Sequence, residues 1–116
     1  MVRGALLAAS VLATASAPAF AQMPNCAAAQ TQAEMNACAG QEYKKSDAAL
    51  NQVYAQLKAK LASPKDQDAL IAAERAWIAY RDAECGFETS GTAGGSIHPM
   101  VLAMCLNEKT VVHAAE

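Results

Sequence analysis

Apolar and small residues recur every three or four positions through the middle of this chain, at Met35, Ala39, Tyr43, Ser46, Leu50, Val53, Leu57 and Leu61. That spacing draws a single stripe along a helix. Thr31 stands where an N-cap belongs, and Glu34 follows three residues later to complete a capping box. No proline interrupts 32–62, and Gly40 is the one weak helix former, a place for a kink or a split into two helices. An unbroken helix over this stretch would be roughly 45 Å long.

Ser63-Pro64-Lys65-Asp66 is the next punctuation. Ser63 can cap, Pro64 suits the first helical position, and Asp66 complements the positive N-terminal end of a helix. The pattern then predicts a second helix to about Cys85, with Gly86 as its stop. Leu70, Ala73, Trp77 and Tyr80 or Arg81 line one face, with Ile71, Ile78 and Cys85 beside them. So short a turn forces an antiparallel hairpin. With the turn centred near 63 or 64, Asp47 falls opposite Tyr80 and Arg81, Asn51 opposite Ala76 and Trp77, and Leu57 opposite Leu70. Asp47 or Asn51 is therefore expected to bond a polar group near Trp77 and so fix the register. The alternative is that these are ordinary solvated polar positions.

Thirteen residues, Gly86 to His98, then carry four glycines, which is long for a link between packed helices. Ser96 or His98 can cap a last helix reaching about His113, with Met100, Val101, Met104, Leu106 and Val111 available to pack on the hairpin. No internal repeat or strand pattern is present. The expected fold is all-α: an antiparallel helical hairpin plus a third C-terminal helix, stapled by two disulfides.

The N-terminus changes the setting. Arg3, the apolar run Ala5 to Ala17 and the small-x-small site Ala19-Phe20-Ala21 read as a signal peptide over 1–21, leaving one domain over 22–116. A membrane anchor would need about 20 apolar residues and a bulkier run than this Ala-rich one. A periplasmic or secreted location follows, with no membrane span after signal cleavage. The remaining chain holds eight Lys and Arg against eleven Asp and Glu, which argues against nucleic acid as a partner. Mild acidity favours encounter with a basic protein.

Four cysteines in a short exported chain, Cys26, Cys38, Cys85 and Cys105, read as two disulfides. No C-x-x-C occurs, and only His98 and His113 could add nitrogen ligands, so neither a metal site nor a redox centre is expected. In the hairpin register Cys38 lies beyond the level of Cys85, too far along the axis for an easy bond. The pairing 26–38 with 85–105 is favoured, and 38–85 with 26–105 is the alternative that a kink at Gly40 would permit.

No catalytic set is apparent. Ser96 and His98 lack a third orienting group, and Asp82 and Glu84 point to different sides of a helix. Neither an enzyme nor a cofactor is expected. His113 would complement the negative end of the last helix. The stretch Gly91 to Ser96 lacks the Lys-Ser/Thr and the preceding strand of a phosphate-binding loop. It reads either as a flexible linker or as a projecting binding loop, Gly94-Gly95-Ser96-Ile97, anchored between Cys85 and Cys105.

Glu34-Met35-Asn36-x-Cys38, Asp47-x-x-Leu50-Asn51-x-x-Tyr54 and Glu74-Arg75-Ala76-Trp77-Ile78-x-Tyr80-Arg81-Asp82-x-Glu84-Cys85 resemble the LprI-type domain family. So do Gly94 to Ile97, Cys105-Leu106 and Thr110. The resemblance implies a small exported bacterial helical domain in which Asp47, Asn51, Tyr54, Trp77 and Arg81 are structural. It also implies lysozyme, or another envelope protein, as the partner; an adaptor role without lysozyme activity is the competing expectation. The chain departs from the family's namesake lipoprotein in lacking a lipidation Cys, and it has His113 where many relatives place an Arg.

Overall fold

A computed structural model describes residues 26–116; the expected signal peptide and the boundary at 21/22 lie outside the described residues. Three helices carry the structure: α1 (Gln32–Lys60), α2 (Pro64–Glu88) and α3 (His98–Ala115). No strand occurs among the described residues. A 3-10 turn over Cys26–Ala28 leads into α1, and another over Ser90–Thr92 follows α2.

Helix α1 begins where its cap allows. The Glu34 amide donates to the Thr31 hydroxyl at 3.1 Å, and the Glu34 carboxylate accepts from the Gln30 amide at 2.9 Å. Gly40 neither breaks nor splits the helix, because its neighbours are good helix formers and 29 residues of continuous bonding absorb about 1 kcal/mol of propensity. Gly86 likewise fails to end α2, which runs on to Glu88. The stop is set by Thr89, which is buried and donates both its amide (3.0 Å) and its hydroxyl (2.7 Å) to the Cys85 carbonyl. The Ser63 side chain makes no cap bond; Pro64 at the first turn does the positioning. At α3 the cap position is Ile97, and neither Ser96 nor His98 fills it.

The hairpin is antiparallel, but its two arms scarcely meet directly. Helix α3 returns between them, packing along α1 for most of its length and along α2 more sparsely. Because α3 has only 18 residues, it covers the upper part of the arms and ends above the turn. Val53 and Leu57, at the lower end of the apolar stripe, therefore remain 45% and 46% exposed. With Leu50, Tyr54 and Leu70 they line an open crevice of about 230 Å³ below the end of α3. Leu50, Ser46, Cys38, Cys85, Ala103 and Thr110 form the buried centre.

Both disulfides follow the favoured pairing. Cys26–Cys38 ties the leading turn to α1 with Cα atoms 5.4 Å apart, and Cys85–Cys105 ties α2 to α3 at 5.7 Å. Since α2 touches α3 less extensively than α1 does, the second bond matters more to the assembly. Replacing Cys85 and Cys105 together by Ser releases a loop of 20 residues and should cost about 3 kcal/mol of unfolding free energy. Urea denaturation of the double variant against the parent measures this.

Candidate functional site

Two constellations stand out, one that aligns the three helices and one that is presented to solvent. The first is centred on Arg81, which is 5% exposed in the middle of α2. A cation so placed needs partners from every side. Its Nη1 lies 3.6 Å from Asp47 Oδ1 on α1 and donates to the Thr110 hydroxyl on α3 at 3.3 Å. Its Nε and Nη2 both reach Asp82 Oδ1 at 2.9 Å. The guanidinium carbon also sits 5.4 Å from the centroid of Tyr43 and 5.3 Å from that of Trp77, within cation–π range. Burial raises the Tyr43 hydroxyl pKa, with the nearby Arg81 charge working against that shift.

Asp47 thus meets the second helix at the level the hairpin register predicts. Asn51 does not join this cluster and is exposed on α1. Tyr54 is half-buried on the wall of the lower crevice. Trp77 stacks on His113 with ring centroids 3.7 Å apart, and His113 Nε2 lies 3.1 Å from Glu74 Oε2. His113 therefore does more than face the helix end: it fastens the last turn of α3 to α2.

A cleft of about 390 Å³ runs between α2 and α3 beside Trp77 and Tyr80. Lys109 bridges Glu84 at 3.2 Å and Glu88 at 3.3 Å across it. Hydrogen bonds from Tyr80 and then Lys109 hold the Glu84 carboxyl below its usual pKa, and the bond to Glu84 raises that of Tyr80. For Lys109, burial pulls the pKa down, but the bonds to Glu84 and Glu88 outweigh it and leave it raised. Lys109 offsets part of the charge of Glu84 and Glu88, while Glu108 and Glu116 also line the cleft; Asp82 points to another side of α2 and is held by Arg81.

The presented constellation is the connection 89–97. Its three glycines do not make it a slack tether. The Thr92 hydroxyl donates to the Thr89 carbonyl at 2.9 Å, so it accepts from His98 Nδ1 at 3.0 Å, which places the ring proton on Nδ1. The Gly95 amide donates to the Thr92 carbonyl at 3.0 Å, and the His98 amide to the Gly95 carbonyl at 3.2 Å. Asn36 of α1 donates from Nδ2 to the Ser96 carbonyl at 2.9 Å. Gly94 has φ +81°, and a Cβ on Gly95 would lie 3.2 Å from the Thr92 carbonyl oxygen, so two of the glycines are required by the turn. Gly94, Gly95, Ser96 and Ile97 are all exposed on this held frame, with Ile97 as the one large apolar side chain.

Residue spacing gave no warning of Thr89, Thr110, the His113–Trp77 stack or the Lys109 bridge. Asn36 and Thr110 do fall within the motif residues quoted above, and that was their only signal. Among the described residues no group of three or more His, Cys, Asp or Glu side chains is arranged to hold a metal ion. No described helix is long and apolar enough to cross a membrane.

The sequence profile of the family described as "Lysozyme inhibitor LprI" matches residues 23–116. This chain belongs to the LprI family. It is also 36% identical, over 129 aligned positions, to the uncharacterized protein R02472 of Rhizobium meliloti (strain 1021), an alignment covering 99% of this chain and 93% of the relative. No solved structure matches it. The LprI match takes in both disulfides, the Arg81 cluster and the 89–97 loop.

Replacing Arg81 by Met should lower the unfolding free energy by about 2–3 kcal/mol, because Thr110 is 0% exposed and Asp47 loses its countercharge. Chemical denaturation tests this. The Glu84–Lys109 pair adds a pH dependence with a definite sign. A lowered Glu84 pKa contributes stability above the unfolded carboxyl value, lost as pH falls through the folded one; a raised Lys109 pKa contributes below the unfolded amine value, lost as pH rises through the folded one. The melting temperature should therefore fall on the acid side as Glu84 protonates and on the alkaline side as Lys109 deprotonates. Lys109→Met should flatten the part of the pH profile due to this pair, as read by calorimetry.

Proposed function

We propose that this protein is an exported binding protein that inhibits a lysozyme. Membership of the LprI family supports the class of partner, and two disulfides suit an oxidising compartment. The observation that carries the reading is the held loop from Gly94 to Ile97. It is exposed, its conformation is fixed by bonds to α1 and α3, and its ordering cost is met before any partner arrives.

A narrow apolar tip on a rigid frame suits a concave partner. Ile97 enters the sugar-binding groove, while the Ser96 hydroxyl and the exposed amides around Gly94 bond the carboxyl groups that line it. Binding then blocks substrate without any reaction on this chain. Pairing with Arg81 and Lys109 weakens the steering that Asp82, Glu84 and Glu88 supply towards a basic enzyme.

A turbidity assay of bacterial cell walls with a panel of lysozymes tests this. Micromolar protein should slow lysis by at least one panel member, and Ile97→Asp should weaken that effect by about tenfold or more while leaving the helical signal intact. Undiminished lysis with every enzyme at micromolar excess removes the reading and leaves the envelope-adaptor role.

A further inference from the structure

All three methionines among the described residues, Met35 on α1 and Met100 and Met104 on α3, line one pocket. It holds about 320 Å³ beside the Cys26–Cys38 bond, and Glu42 and Asn107 complete its wall. The helical spacing alone reads these side chains as apolar packing. The structure does not use them that way: Met35 and Met100 are half-buried, Met104 is 57% exposed, and the pocket they border is open. Leucine would make an apolar contact of better defined shape. Methionine adds a polarisable sulfur on a chain with three rotatable bonds.

We propose that this pocket is a thioether site for monovalent copper, with Met35, Met100 and Met104 as its ligands. A thioether is a soft, neutral donor, suited to Cu(I) and poor for harder divalent ions. This is a different donor class from the His, Cys, Asp and Glu groups, which form no metal set among the described residues. Met100 and Met104, four residues apart, project from one face of α3, and Met35 faces them from α1. Gln32, one turn before Met35, brings its Nε2 to 3.8 Å from Met100 Sδ, which fixes the two helices at a common level here. A thioether is a weak acceptor, so a metal ion displaces that contact at little cost. Glu42 on the rim supplies negative charge towards a monovalent cation, shared with Lys45 at 3.0 Å.

The disulfides strengthen the case. Cys26 and Cys38 on this wall are bonded to each other and offer no thiolate. In an oxidising compartment the thioether is the soft donor that keeps its ligating form. No proton has to leave it before it binds, so the site serves acid and neutral conditions alike. Gly94 to Ile97 lie outside the pocket wall, and the inference does not depend on the lysozyme reading.

Competition for Cu(I) against bicinchoninate tests this on the intact oxidised protein, without oxygen and with ascorbate as reductant. One equivalent of copper should leave the coloured chelate. Met35→Leu, Met100→Leu and Met104→Leu should each weaken uptake by about tenfold or more, and the triple substitution should abolish it. Leucine conserves volume, so the melting temperature and the effect on lysozyme should change little. Uptake should be equal at about pH 5.5 and about pH 7.5, a range over which imidazole is protonated and a thioether is not. Excess Zn(II) should not compete. Three results would each overturn the proposal: no copper withdrawn, uptake that survives the triple substitution, or uptake lost on acidification, which assigns the metal to His98 or His113.

Discussion

A guanidinium taken out of water requires countercharge and hydrogen-bond acceptors on all its open sides, and Arg81 obtains them from three helices at once. That requirement sets the relative positions of the arms. Asp47 can reach Arg81 at one axial level of α1, and Thr110 at one rotation of α3. The apolar content of this centre is small, with Leu50 and Ala103 as its buried non-cysteine members, so apolar area alone would let the helices slide. A polar centre of this kind exchanges some stability for a single alignment. The stacked Trp77–His113 pair and the Lys109 bridge repeat the same device at other levels of the α2–α3 contact.

Because α3 stands between the arms, the molecule is a wedge whose two ends differ. At the closed end both disulfides, the Thr89 stop and the Asn36–Ser96 bond hold the loop against the helix ends. At the turn end the arms run past α3 and leave the crevice around Val53 and Leu57. Rigidity is concentrated where the loop is presented. That distribution fits recognition by a preformed surface, in which little ordering is left to be done on contact.

The outer side of α2 follows from the same economy. Its inward side is committed to Arg81, Trp77, Cys85 and the carboxylates that meet Lys109, all polar or aromatic groups with specific partners. The outward side carries exposed Ala and Gly flanked by Tyr80 and Phe87.

The helices and the antiparallel turn were legible from residue order alone, and one cysteine pairing was favoured over its alternative. These rest on local quantities: a period of three to four, a capping box at Thr31 and Glu34, proline at 64, and the axial offset of Cys38 from Cys85. The register was also legible as far as Asp47 and Arg81, since a turn of fixed length ties residue numbers to axial level. Tertiary structure decided what no local spacing encodes. The thirteen-residue connection hid the position of α3, so Thr110, His113 and Lys109 could not be assigned to Arg81, Trp77 and Glu84. The same gap concealed that Gly86 stays helical, because the stop belongs to Thr89, whose burial depends on where α3 begins. Asn51 and the lower apolar stripe were placed in the contact by register alone, and the short reach of α3 left them outside it. Local bonding fixes which elements form; the partners of a long polar side chain are fixed only when the third helix arrives.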